Sequence, residues 1–301
     1  MWNSNATTVV NASMIDTSTR GIFITKDNTI YITVTTNNLI RIWSGENMTL
    51  IRTISNGLSA PRGIFLKNNG DLFVNYNTPP TQVDKWTVNA TIGVPAMYTS
   101  NVCYSIFIDI ADYVYCSTES PHQVAKKSLN SVTNTLIIVA GNGTAGSGAN
   151  MINGPRGMFV DTNLNLYLAD CWNSRIQFFQ SDQLNGTTVP INGSNGVFTL
   201  NTPTDVTVDG DGYLFIVDHY NHRILGSGPE GFRCVAGCTG TNGSAANQFL
   251  LPHTLSFDSF GNLFIIDIGN IRVQKFNLIA NECGECPLFK EGNSIFRMFY
   301  L

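Results

Sequence analysis

A short alternation of apolar and polar residues recurs six times along the chain. Each copy starts with a Pro or polar residue, a variable residue and a small residue. It continues as an alternating apolar run, a turn and a second apolar run. The variable residues are Arg20, Arg62, Tyr104, Arg156, Thr204 and His253, spaced by 42, 42, 52, 48 and 49 residues. Periods of this length are typical of one four-stranded propeller blade per repeat.

The fifth copy shows best how a repeat predicts a blade. Thr204–Val208 alternates, the Asp-Gly-Asp-Gly segment at 209–212 predicts a tight turn, and Tyr213–Val217 forms the second apolar run. Two further short apolar runs, at 223–225 and 232–235, supply the third and fourth strands. Asp-Gly between apolar runs is a strong hairpin signal. The sequence therefore predicts an all-β, six-bladed propeller of four-stranded antiparallel blades.

The segment Thr-Thr-Val-Val at 7–10 precedes the first copy and resembles an outer strand without a blade. Its pairing with the sixth blade would close the ring and remove an exposed sheet edge. We therefore expect one propeller domain over 1–281, with inner strands starting near 20, 62, 104, 156, 204 and 253. We interpret 282–301 as a C-terminal extension, and its apolar end as a candidate beginning of a truncated region.

Composition and charge limit the kinds of molecule that we expect this protein to bind. The chain of 301 residues is 43% hydrophobic and 13% charged, which predicts a globular protein with a large core. Its 17 Lys and Arg against 21 Asp and Glu give a net charge of −4, so nucleic acid is an unfavourable partner. No apolar run approaches the roughly 18 residues of a membrane span, and the N-terminus lacks the pattern of a signal peptide.

Cysteines and glycosylation sequons favour an extracellular or luminal protein, with a cytoplasmic one as the alternative. Alignment of the repeats places Cys103 and Cys116 across an antiparallel pair, and Cys234 and Cys238 flank a turn. Cys283 and Cys286 form a C-x-x-C without a second pair at zinc-finger spacing, so we expect a disulfide there too; Cys171 is left over. Eight Asn-x-Ser/Thr sequons make a glycoprotein plausible, at Asn5, Asn11, Asn47, Asn89, Asn142, Asn185, Asn192 and Asn242.

One polar constellation keeps its spacing in the last three repeats, where an Asp ends the second strand, an Asn follows at the bend and an Arg begins the third strand. Its members are Asp170, Asn173 and Arg175; Asp218, Asn221 and Arg223; Asp267, Asn270 and Arg272. The Arg can return to the Asp as a charge-assisted pair. Because the set repeats in successive blades, we interpret it as a structural turn motif and not as a catalytic site.

With this turn after a Pro-x-Gly-Ile/Val strand, the chain resembles the NHL repeat family of six-bladed propellers. The resemblance covers Thr19 to Phe276; repeats four to six match the family well, and repeats one to three are degenerate, most clearly in the third blade. There Thr118 stands in place of the Asp and Gln123 in place of the Arg. The resemblance implies a propeller that recognises other molecules, as in tripartite-motif ubiquitin ligases, whose propellers hold protein substrates or RNA.

The same resemblance includes a peptide-amidating lyase whose zinc-binding histidines occupy the variable position in several blades. Here only His253 stands at such a position. A catalytic zinc ordinarily takes three protein ligands, so we predict no metal, no cofactor and no catalytic residues. A metal-dependent lyase or lactonase-like propeller is the less favoured alternative.

Strand heads in a propeller converge around its axis, so the six variable residues are predicted to share one funnel. Arg20, Arg62 and Arg156 would make it cationic and suited to a carboxylate, a phosphate or an acidic peptide side chain. Alternatively, these arginines pair with acidic or backbone groups inside the channel. The favoured function is a non-catalytic binding module for a protein or peptide, or for a glycan.

Overall fold

The computed structural model describes residues 2–79, 81–194 and 196–279, and there the chain forms six four-stranded antiparallel sheets. These sheets are the predicted blades, so the all-β, six-bladed propeller is confirmed.

The chain opens with β1 (Thr7–Val10). Blade 1 contains β2 (Ile22–Ile24), β3 (Ile30–Val34), β4 (Leu39–Trp43) and β5 (Leu50–Ile54). Blade 2 contains β6 (Pro61–Leu66), β7 (Leu72–Tyr76), β8 (Gln82–Trp86) and β9 (Val94–Tyr98). Blade 3 contains β10 (Cys103–Ile108), β11 (Tyr113–Thr118), β12 (Gln123–Ser128) and β13 (Ile137–Ala140).

The second half of the chain builds the other three blades. Blade 4 contains β14 (Pro155–Val160), β15 (Leu166–Asp170), β16 (Arg175–Phe179) and β17 (Thr187–Thr188). A small hairpin of β18 (Asn192–Gly193) and β19 (Gly196–Val197) follows it. Blade 5 contains β20 (Pro203–Val208), β21 (Leu214–Asp218), β22 (Arg223–Gly226) and β23 (Arg233–Ala236). Blade 6 contains β24 (Pro252–Phe257), β25 (Leu263–Asp267) and β26 (Arg272–Phe276), and β1 is its fourth strand.

The ring closes as the sequence predicts, through antiparallel pairing of β1 with β26. Trp2 strengthens the closure: its Nε1 donates to the Gly261 carbonyl over 2.9 Å, and its ring lies 5.4 Å from that of Phe215. The inner strands contact each other in cyclic order, β2 to β6, β10, β14, β20 and β24, and β24 contacts β2. Residues 280–301, which include Cys283, Cys286 and the predicted extension at 282–301, lie outside the described residues.

The hydrophobic core consists of six clusters, one between each pair of neighbouring blades. Between blades 5 and 6, for example, Phe215 and Val217 pack against Leu255 and Phe257. Because each blade buries apolar side chains on both faces, its strands read as apolar runs with few polar interruptions. The other clusters join blades 6 and 1, 1 and 2, 2 and 3, 3 and 4, and 4 and 5.

The small residue at the head of the inner strands has a steric cause. A Cβ added at Gly21 would collide with the Arg62 carbonyl of the next blade, and one added at Gly157 with the carboxylate of Asp205. Neighbouring blades are therefore in close contact at these strand heads.

Two predicted disulfides are present, Cys103–Cys116 within blade 3 and Cys234–Cys238 between β23 and the segment that follows it. Cys171 is a buried free thiol, and burial raises its pKa to about 11. Among the helical turns of the described residues, none is long and apolar enough to cross a membrane.

Removal of the first disulfide should destabilise the protein more than removal of the second. The cross-links span 13 and 4 residues, and the chain-entropy relation gives about 3 and about 2 kcal/mol respectively. Urea unfolding of the Cys103→Ala/Cys116→Ala and Cys234→Ala/Cys238→Ala variants measures both values. A larger loss in the second variant would contradict this order.

Candidate functional site: an axial cup and channel

The turn motif anchors the loops that lead into blades 4 to 6. In blade 4, Asp170 is fully buried, and its Oδ2 accepts hydrogen bonds from Asn173 Nδ2 over 2.8 Å and Arg175 Nε over 2.6 Å. Its Oδ1 accepts from the Asn153 amide over 2.6 Å. Asp218 and Asp267 have equivalent partners in blades 5 and 6. Each carboxylate therefore ties three separate segments together at the face that carries the strand heads.

The arginine of the motif extends this network to the loop before its own blade. Arg175 Nη1 donates to the Ser147 carbonyl over 2.9 Å, and Nη2 donates to the Met151 carbonyl over 3.0 Å. In blade 3, which lacks the motif, Thr118 Oγ1 donates instead to the Gln123 carbonyl over 3.1 Å. The motif residues are thus placed in structural contacts and not at the axis.

Four residues in left-handed conformation link blades 1, 3, 4 and 5 to the blades that follow them, a role that the sequence analysis missed. The Nδ1 atoms of His122 and His222 accept the amides of Gly154 and Leu251, each over 3.1 Å. Asn38 and Ser174 accept the amides of Ala60 and Thr202 in the same way. Two of the four histidines therefore bind the loops around the cup through an accepting Nδ1.

The six variable residues meet at one end of the propeller axis, and we call this set the axial cup. Hydroxyl groups fix the strand heads: Ser117 Oγ donates to the Arg156 carbonyl over 2.7 Å, and Thr204 Oγ1 donates to the His253 carbonyl over 2.8 Å. Thr33 Oγ1 holds the Arg62 carbonyl in the same manner. These bonds join neighbouring blades, so the backbone of the cup is rigid.

Tyr104 lies between two arginines of the cup. The guanidinium carbon of Arg62 is 3.9 Å from the centroid of the tyrosine ring, and that of Arg156 is 4.7 Å from it. Burial and a hydrogen bond with Glu119 raise the pKa of Tyr104. The ring therefore stays neutral and orients two cations through their attraction to its π face.

Arg20 completes the cationic side of the cup. Its Nη1 donates to the carbonyls of Thr17 and Thr19 over 2.8 and 3.0 Å. Burial and the charges of Arg62 and Arg156 lower its pKa to about 10, so it remains charged at neutral pH. Arg20 thus pairs with backbone groups, as the alternative interpretation expects. Within the described part of the chain, however, none of the three arginines forms an ion pair.

Two polar groups of the cup are buried without a partner among the described residues. These are both ring nitrogens of His253, which is 7% exposed, and Nε of Arg156. Burial, followed by the charges of Arg20 and Arg156, lowers the pKa of His253 well below its usual value, so the imidazole is neutral. Buried polar atoms that lack a hydrogen-bond partner are costly.

Below the cup, the axial channel has one aromatic wall. Phe23, Phe65, Phe107 and Phe159 form a ladder with successive ring centroids 5.1, 5.2 and 5.3 Å apart. The cavity has a volume of about 160 Å³ and also borders five cup residues: Arg20, Tyr104, Arg156, Thr204 and His253. The sequence analysis missed this ladder. The sequence does contain a pattern that indicates it, because each phenylalanine stands three positions after a variable residue.

The opposite wall of the channel is polar. Thr207 and Ser256 occupy the places of the phenylalanines in blades 5 and 6, and Asp205 borders the same cavity. Asp205 Oδ2 accepts hydrogen bonds from Thr254 Oγ1 over 2.5 Å and from the Leu255 amide over 3.2 Å. Burial nevertheless raises the pKa of Asp205 to about 6.

Asp205 should make the free energy of unfolding decrease as pH rises from 4 to 7. Its pKa is about 6 in the folded chain and 3.8 when unperturbed. Between these values the folded chain binds more protons than the unfolded chain, and stability is lost as they dissociate. A shift of about two units corresponds to about 3 kcal/mol; since the carboxyl borders a cavity that water can enter, we expect about 2 kcal/mol.

Urea unfolding of the wild type and of Asp205→Asn between pH 4 and 7 measures this dependence. The asparagine variant loses one acceptor at every pH, so only the change with pH is informative. The wild type should lose about 2 kcal/mol relative to the variant across this range. A difference that does not vary with pH would contradict the assignment.

Metal ligands are sparse around the axis. In the segments that the structure describes, no three residues of the types His, Cys, Asp and Glu lie close enough together to hold a metal ion. The rings of His219 and His253 are 6.1 Å apart, but Nδ1 of His219 is engaged by the Pro252 carbonyl over 2.7 Å.

Comparison with known proteins supports the fold alone. No protein-family model matches the chain, and no curated protein matches it in sequence. A Bacteroides thetaiotaomicron protein of unknown function superposes with a TM-score of 0.72 at 16% identity, over 91% of this chain and 75% of that one. An auxiliary nutrient binding protein from the same organism gives 0.66 at 15%, over 92% and 72%. A gluconolactonase from Xanthomonas campestris gives 0.65 at 12%, over 90% and 89%. The chain therefore shares its propeller architecture with binding proteins and with enzymes, and the resemblance to the NHL repeat family rests on the turn residues.

Proposed function

We propose that this protein is a binding module that recognises an acidic group of a protein or peptide partner in the axial cup. The observation that carries the proposal is the set of buried nitrogens of His253 and Arg156 that lack a partner among the described residues, in a cup whose three arginines form no ion pair with any described carboxylate. A carboxylate would accept hydrogen bonds from Nε of Arg156 and from the one protonated ring nitrogen of the neutral His253, and it would neutralise part of the arginines' charge. The likeness to an auxiliary nutrient binding protein is compatible with such a role.

Two alternatives receive less support. A lactonase or lyase would need convergent metal ligands or an acid and base pair at the axis, and the cup offers one neutral histidine among arginines. An RNA-binding propeller, as in some tripartite-motif proteins, needs a broad basic face, whereas the net charge is −4.

The minimal test of this function is an NMR titration with acetate, with acetamide as the uncharged control. Acetate should shift the Nε–H resonances of Arg20, Arg62 and Arg156 with a saturable, salt-dependent curve, and acetamide should not. Arg52 on the exposed outer strand β5 provides the internal reference. Equal shifts at Arg52 and at the cup would refute the proposal.

We also propose that the protein is extracellular or luminal. Two disulfides support this location, and all eight sequon asparagines are exposed. Protein produced through a eukaryotic secretory pathway should lose mass on treatment with an N-glycosidase. Unmodified sequons in that material would remove this support.

A further inference from the structure

The cavity that extends from the cup into the channel has one apolar wall. Its volume is about 160 Å³, and four phenylalanines with Ile22, Ile64 and Ile106 form this wall, while Thr207, Ser256 and Asp205 lie opposite. An engineered cavity of about 150 Å³ lined by Leu, Ile and Phe binds benzene. The cavity is therefore large enough for an apolar group of about the size of one aromatic ring, placed against its apolar wall.

The charges around the cup favour a ligand with a single negative charge. The arginines supply three positive charges, while Asp16 and Glu119 lie close enough to offset part of them. Asp205 adds a third carboxyl on the channel wall. A second negative charge on the ligand would meet these carboxylates, so a carboxylate suits the site better than a phosphate dianion.

We infer that the ligand of the axial site is a monocarboxylate with an apolar, ring-sized body, held with its carboxylate in the cup and its body against the phenylalanine ladder. This inference rests on the proposed function and specifies its ligand. Two kinds of ligand combine one carboxylate with an apolar body. One is a free aromatic acid, and the other is the C-terminal residue of a peptide that ends in a large apolar side chain.

Phenylacetate is the probe, and acetate and phenylacetamide are its controls. Burial of a phenyl ring against the ladder should make phenylacetate bind about 10- to 100-fold more tightly than acetate. Phenylacetamide lacks the charge and should bind far more weakly. Resonances of Phe65 and Phe107 should shift with phenylacetate and stay unchanged with acetate.

A variant that fills the channel tests how much the apolar body of the ligand contributes to binding, separately from its carboxylate. Thr207→Phe extends the ladder into blade 5 and occupies the cavity, whereas Thr53→Phe places the same side chain on the exposed outer strand β5. Thr207→Phe should lose the 10- to 100-fold advantage of phenylacetate over acetate. Thr53→Phe should retain this advantage. Thermal unfolding of both variants confirms that each one folds.

The outcomes are distinguishable. If acetate shifts the cup arginines and phenylacetate binds no more tightly, the inference about the apolar body is wrong and the proposed function stands. If neither probe shifts the arginines, both fail. Acetyl-Gly-Gly-Phe with a free and an amidated C-terminus then separates the sources. Tight binding of the free-acid peptide and not of the amide supports a chain terminus. Binding of phenylacetate without binding of the peptide supports a small acid and contradicts the protein or peptide partner of the proposed function.

Discussion

Replacement of Asp170 by alanine should lower the free energy of unfolding by about 3 to 5 kcal/mol, the range expected when one partner of a buried ion pair is removed. The Asp170 carboxylate is fully buried and accepts hydrogen bonds from Asn153, Asn173 and Arg175. Alanine would leave the guanidinium of Arg175 and two amide donors without their acceptor. Equilibrium unfolding in urea measures the loss.

Blade 3 supplies the matched control. Thr118 occupies the equivalent position and makes one hydrogen bond, to the Gln123 carbonyl. Thr118→Ala should therefore cost only about 1 kcal/mol. Asp170→Asn retains one acceptor and should fall between the two. Equal losses for Asp170→Ala and Thr118→Ala would show that the turn motif does not stabilise the blade in the manner described.

Replacement of Arg156 by glutamine should weaken phenylacetate binding by about 10- to 100-fold, because a charge-assisted hydrogen bond contributes about 1.5 to 3 kcal/mol. Nε of Arg156 is buried without a partner, and the guanidinium carbon lies 4.7 Å from the Tyr104 ring centroid. No described carboxylate pairs with this arginine. The substitution removes the contact with Tyr104 and also a buried donor that lacks a partner among the described residues, so stability should change by less than about 1 kcal/mol. Calorimetric titration and thermal unfolding measure the two effects separately.

Arg52→Gln is the control for charge alone, since Arg52 is exposed on the outer strand of blade 1. It removes the same formal charge at a distance from the axis and should change the affinity by less than about twofold at physiological salt. If Arg156→Gln destabilises the protein and binds phenylacetate like the wild type, the arginine has a structural role and the cup is not a binding site.

The sequence was sufficient for the fold because the fold is local and repeated. Apolar alternation, the Asp-Gly turn at 209–212 and a period of 42 to 52 residues each specify one blade. The segment at 7–10 could be assigned to blade 6 because the sixth repeat contains only three strands and its blade needs a fourth, outer strand. The cup could be placed for the same reason, since residues at equivalent positions of a ring must converge.

What the sequence did not reveal depends on contacts between blades. The phenylalanine ladder, the raised pKa of Asp205 and the histidine acceptors His122 and His222 all arise where one blade meets the next. Whether the cup arginines would be paired was also open, because pairing depends on side-chain positions that repeat spacing does not determine. The structure shows backbone bonds for Arg20 and an unpartnered Nε for Arg156.

A crystal structure of the protein with 4-bromophenylacetate, recorded with anomalous scattering, tests the central claim most directly. The account predicts a carboxylate within hydrogen-bonding distance of Arg156 and His253, and an anomalous bromine peak in the channel beside Phe65 and Phe107. A metal ion held on the axis by three or more protein ligands, or a channel without bromine at saturating ligand, would contradict it.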